Sequence, residues 1–110
     1  MSLQNYKRRY NKLTVKKNLF GKEAEEKVKQ DGFALQFVIK QTSKICELAV
    51  KQNGYALWYV KIQTPKICEL AVKKYGNALQ YVIKQTPKIC ELAVKQDRDA
   101  LQFVEDKFFK

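Results

Sequence analysis

Cys46, Cys68 and Cys90 are the residues of this chain best suited to chemistry, and they stand 22 residues apart. A thiolate can be a nucleophile, a redox centre or a metal ligand. Each use needs company that is missing. The chain has no histidine to act as a paired base. A tetrahedral zinc site needs converging ligands, whereas three thiols at one repeat position string out in a row. Equivalent positions on stacked helices lie roughly 8–10 Å apart, beyond the ~7 Å Cα separation that a disulfide tolerates. The cysteines therefore read as small buried apolar residues of a reducing compartment, which gives a cytoplasmic expectation. Glu47, Glu69 and Glu91 each precede a lysine by four residues, Lys51, Lys73 and Lys95, the favourable order for a helical ion pair. With no phosphate-cradling glycine loop and no Ser–His or Cys–His pairing, neither an enzyme nor a cofactor, metal or small-molecule substrate is expected.

A second constellation lies at the start. Residues 1–22 hold seven of the 22 basic residues, including Lys7, Arg8, Arg9, Lys12 and Lys16, and no acid. The remaining 15 bases face all 11 acids, so most of the net charge of +11 belongs to this segment. Tyr6, Arg8, Arg9 and Tyr10 mix cations with rings, which suits phosphate contact and base stacking. Nucleic-acid or anionic-surface binding through Lys7, Arg8, Arg9, Lys12 and Lys16 is one functional expectation. The blander reading is a solvated face: Leu3, Tyr6, Tyr10 and Leu13 step by three and four, predicting a basic helix over 1–20 that caps the rest of the chain.

What positions all of these residues is a repeat. Ile45–Val50 recurs as Ile67–Val72 and Ile89–Val94, and a Gly-x-Ala-Leu-x-aromatic-Val pattern recurs between them with the same step. A period of this size predicts stacked units sharing one core. Asn53-Gly54 alone would signal a β-hairpin. The same two positions hold Asp31-Gly32, Tyr75-Gly76 and Asp97-Arg98, and Tyr and Arg resist the positive φ such a turn needs. Thr64-Pro65 and Thr86-Pro87 look instead like an N-cap followed by proline at the first helical position. Each unit is read as helix A (Pro65–Lys74 in the third), a left-handed glycine (Gly76), and helix B (Asn77–Thr86).

The chain is thus expected to be all-α: a short solenoid of helical hairpins with units 21–42, 43–64, 65–86 and 87–108 after the basic segment. Ile45, Leu48, Ala49, Val50, Leu57, Val60 and their counterparts form the expected core. At Arg98, which replaces the glycine, a tighter or strained turn is expected. With 110 residues, 45% of them hydrophobic, the chain suffices for one modest core. It lacks an apolar run of the ~18 residues that suggest a membrane span, and no export signal opens it.

The run Ala49-Val50-Lys51-Gln52-Asn53-Gly54-Tyr55-Ala56-Leu57-Trp58-Tyr59-Val60 resembles a family of uncharacterised short helical repeats from bacterial and large-virus proteins. That family shows A-V-x-x-[ND]-G-x-A-L-x-[YF]-V. The resemblance, over residues 24–104, implies the fold class and brings no activity.

The repeats also provide an internal control for function. The solvated side of helix B is set by i, i+3, i+7 positions: Asn77, Gln80 and Lys84 in unit three, and Asp99, Gln102 and Asp106 in unit four. Unit two has Tyr55, Trp58 and Ile62 there, and unit one has Phe33, Gln36 and Lys40. An exposed patch of Phe33, Tyr55, Trp58 and Ile62 is expected to contact a protein partner or a second copy. The competing reading has the N-terminal segment folding back over it.

Overall fold

The computed structural model describes residues 18–109. Their elements alternate between an α-helix and a 3-10 helix in every unit: α1 Gly21–Gln30, η1 Gly32–Phe37, α2 Ser43–Gln52, η2 Gly54–Tyr59, α3 Pro65–Lys74, η3 Gly76–Tyr81, α4 Pro87–Gln96, η4 Arg98–Phe103, then η5 Asp106–Phe109. No strand occurs among the described residues, so the fold is all-α. The basic segment, with Lys7, Arg8, Arg9, Lys12 and Lys16, lies outside the described residues. Of the helix expected over 1–20, residues 18–20 are not helical.

Local chemistry starts and stops each α-helix. The Oγ1 of Thr42, Thr64 and Thr86 accepts from the backbone N–H of Ile45, Ile67 and Ile89 at 3.2 Å. Pro65 and Pro87 occupy the first turn, where a missing N–H costs nothing. The α-helices end when Asp31, Asn53, Tyr75 and Asp97 turn extended, at φ between −140 and −153. Asp31, Asn53 and Asp97 then accept from the N–H two residues on and so begin the 3-10 helix. The Asn-Gly pair is therefore a relay from one helix type to the next.

Helix B differs from its expected form. It is six residues of 3-10 helix, and the chain from Val82 to Thr86 is extended at its ends with a bend at Ile83 and Lys84. A threonine that precedes proline is steered away from α backbone. With three residues per turn, side chains at i and i+3 line up. Gly54, Leu57 and Val60 accordingly share the buried side.

The α-helices stack side by side, the 3-10 helices stack beside them, and each α-helix also packs on the 3-10 helix of the preceding unit. The glycines owe their place to that contact and not to a left-handed turn. Among the described residues, positive φ occurs only at Asn18 and Gly21. A Cβ on Gly32 or Gly54 would lie 2.5 Å from the carbonyl oxygen of Ala49 or Ala71 in the next unit, and one on Gly76 would be nearer still to that of Ala93. Arg98 has no such neighbour and shows the same backbone as the others, Asp97 before it at φ −153 and ψ 117. Strain at Arg98 is thus corrected to a position freed from the glycine requirement.

Ile45, Ala49, Val50, Leu57 and Val60 are buried, with most of their counterparts. Leu48, Leu70 and Leu92 sit at the rim of the core, only partly buried. Leu101 is 44% exposed where Leu35, Leu57 and Leu79 are fully covered by the following unit. The glutamates reach across units: Glu25, Glu47 and Glu69 pair with Lys44, Lys66 and Lys88 at 2.9–3.4 Å. The expected i,i+4 partners Lys51 and Lys73 are passed over, so these pairs tie neighbouring units and not one helix to itself.

Candidate interaction face

The thiols come first, being the chemically able groups. All three are buried and free, and each Sγ donates to a glutamine Oε1: Cys46 to Gln41 at 3.5 Å, Cys68 to Gln63 at 3.4 Å, Cys90 to Gln85 at 3.3 Å. Burial, and then the adjacent Glu69, push the Cys68 thiol up to about 11. Burial, with Glu47 secondary, pushes Cys46 in the same direction, and Cys90 is raised likewise. A protonated, enclosed thiol is a poor nucleophile and a poor metal ligand.

The glutamines that receive those thiols belong to no chemical motif, yet they connect the units. The Nε2 of Gln41, Gln63 and Gln85 donates to the carbonyl oxygen of Tyr59, Tyr81 and Phe103 at 2.7–2.8 Å. The same side chains accept at Oε1 from the N–H of Lys61, Ile83 and Glu105 at 2.9–3.0 Å. At the start of the array, Leu19 makes this pair of bonds with its own backbone, donating to Phe37 O and accepting from Ile39 N. Leu19 is 22 residues before Gln41. A side-chain amide therefore repeats what a main-chain peptide does one unit earlier. Gln41-Thr42, Gln63-Thr64 and Gln85-Thr86 recur in the sequence as regularly as the cysteines, and that recurrence is the signal that locates them.

The expected patch divides into three. Tyr55 stacks on Tyr75 at 5.1 Å and 16°, and meets Tyr81 edge-on at 6.2 Å. Trp58 meets Tyr81 edge-on at 5.2 Å. Phe33 instead packs edge-on against Tyr59, at 6.0 Å, between units one and two. Ile62 lies beyond the end of η2, in the bend of unit two, because a 3-10 helix that stops at Tyr59 carries no i+7 position. The structure brings Tyr55 and Trp58 together around Tyr81 and leaves Phe33 and Ile62 in separate settings.

Trp58 is 66% exposed. At the equivalent positions Gln36, Gln80 and Gln102 each donate to the carbonyl oxygen three residues back, at 3.0 Å. Three units thus close this position upon themselves, and the second presents an indole.

Compared with known proteins, residues 65–109 are similar to a family described as a domain of unknown function (DUF4116), a match that runs over the last two units. No curated protein and no solved structure matches the chain. No helix among the described residues is long and apolar enough to cross a membrane.

Proposed function

We propose that this chain is a non-catalytic helical-repeat scaffold that engages a protein partner through the surface around Trp58 and Tyr55. The observation that carries this reading is Trp58 itself: a large ring, two-thirds exposed, at a position where the other units keep a self-bonded glutamine. Exposed aromatics of this kind are common centres of protein interfaces. The ring rests on Tyr81, which limits its freedom and lowers the entropy lost on binding. The thiols are protonated and enclosed, and among the described residues no cluster of metal-ligating side chains occurs.

The test compares interactors retained by the full chain with those retained by Trp58→Gln, which restores the residue of the other units. A partner kept by the first and lost by the second supports the reading; an unchanged set of interactors overturns it. The second reading, anion binding through Lys7, Arg8, Arg9, Lys12 and Lys16, is supported by the acid-free charge of residues 1–22. It requires oligonucleotide affinity that falls steeply with salt and disappears when residues 1–17 are removed.

A further inference from the structure

The two-residue bend after each 3-10 helix carries a pattern separate from the tryptophan. In units one to three it holds one isoleucine and one lysine: Ile39-Lys40, Lys61-Ile62 and Ile83-Lys84. The isoleucines are 55%, 81% and 76% exposed. Exposed β-branched aliphatics recur in the bends of three successive units, at the first bend position in units one and three and at the second in unit two, unlike singly scattered apolar residues. Lys40, Lys61 and Lys84 have no carboxylate within 4 Å among the described residues, in contrast to Lys44, Lys66 and Lys88. The equivalent residues of the fourth unit are Glu105 and Asp106, the latter opening η5.

Beneath the second and third bends lie two equivalent grooves. One, of about 240 Å³, is bordered by Lys61 and Ile62 with Cys46 within it. The next, of about 270 Å³, is bordered by Ile83 and Lys84 with Cys68 within it. Each holds several times the roughly 30 Å³ share of one water. Most of the polar lining is already engaged: the thiols donate to Gln41 and Gln63, whose amides bond backbone, and the Thr42 and Thr64 hydroxyl oxygens cap helices, while Ser43 on the first groove is exposed. The floor therefore favours apolar side chains, and the rim favours carboxylates.

We infer that this stripe binds an extended acidic–aliphatic peptide segment, one aliphatic side chain per groove and one carboxylate per bend lysine. The inference rests on the scaffold reading and specifies the chemistry of the partner. Successive units step by roughly 8–10 Å, the spacing of packed helices, and a peptide in the extended polyproline II form advances about 3.1 Å per residue and returns to the same face every third residue. An acid–aliphatic pair every third residue matches that step. At the equivalent place in the fourth unit Asp106, beside Glu105 with its Lys107 partner at 3.5 Å, disfavours a further acid, which sets the direction in which the pattern ends. Exposed aliphatics favour a peptide over single-stranded nucleic acid, which binds through stacking on rings.

The probe is a labelled peptide of about twelve residues repeating aspartate–leucine–serine, titrated against the full chain by fluorescence anisotropy. Saturable binding is expected, weakened at least tenfold by asparagine for aspartate or by alanine for leucine. Ile62→Asn with Ile83→Asn, and separately Lys61→Glu with Lys84→Glu, should each weaken it at least tenfold. Both pairs are surface changes, with folding checked by circular dichroism. Absence of binding, binding unchanged in both double variants, or equal competition by an unlabelled oligothymidine would overturn the inference. A Trp58-dependent partner that survives the Ile62 and Ile83 changes would leave the scaffold reading standing without it.

Discussion

The side chain of Gln63 holds the backbone of the next unit from both sides, donating to Tyr81 O at 2.8 Å and accepting from Ile83 N at 3.0 Å. Removing the amide strands a carbonyl and an N–H where the chain leaves the 3-10 helix. Gln63→Leu is expected to destabilise the array by roughly 1–3 kcal/mol, from two lost bonds worth about 0.5–1.5 kcal/mol each, one part-buried and one open to water. Gln63→Glu keeps the acceptor, loses the donor and should fall between the two. Urea unfolding of the three proteins checks the order.

Gly54 answers to sterics between units. Gly54→Ala should cost roughly 1–3 kcal/mol, the usual penalty of overpacking, because its Cβ would meet Ala71 O. Arg98→Gly, at the equivalent position with nothing packed behind it, should change stability by less than about 1 kcal/mol. Thermal melts of both variants distinguish a packing requirement from a turn requirement.

Leu57 and Leu70 separate core from rim. Leu57→Ala should cost roughly 2–5 kcal/mol, because Leu57 is fully enclosed. Leu70→Ala should cost roughly 1–2 kcal/mol, in proportion to the smaller area it buries. Equal losses would mean that Leu70 is more enclosed than the structure has it.

Stability should also respond to alkali. The folded array holds the Cys68 proton up to about 11, against 9.0 for an ordinary thiol. Between those values the folded state binds more protons than the unfolded one, so stability falls as pH rises. The contribution is intact below about pH 9 and lost through about pH 11. Cys46 and Cys90, raised in the same direction, steepen the fall. Cys68→Ala should flatten it, read as the change in unfolding midpoint between pH 8 and 11.

The 22-residue step makes the all-α stack legible from the sequence, and the Thr-Pro pairs mark where the α-helices begin. The second half of each unit is harder to read, because a short apolar run does not declare its period. Gly54, Leu57 and Val60 at i, i+3, i+6 fit three residues per turn as well as they fit an α-helix, and the expected Tyr55–Trp58–Ile62 stripe depends on the wrong choice. Gly76 looks like a local turn residue, although its reason lies in Ala93 of the next helix. Glu47 looks paired with Lys51 for the same reason: sequence neighbours are visible in a chain and stacked neighbours are not. Trp58 stands out because the repeat supplies its own reference residue, glutamine.

The scaffold reading depends on Trp58 being open to solvent in the full 110-residue chain, residues 1–17 included. As the chain's one tryptophan, it reports that directly through emission and acrylamide quenching. The account predicts a red-shifted spectrum, strongly quenched, that moves little when the protein is unfolded in urea. A blue-shifted emission, protected from acrylamide and released only on unfolding, would mean the ring is already covered within the molecule and would contradict it.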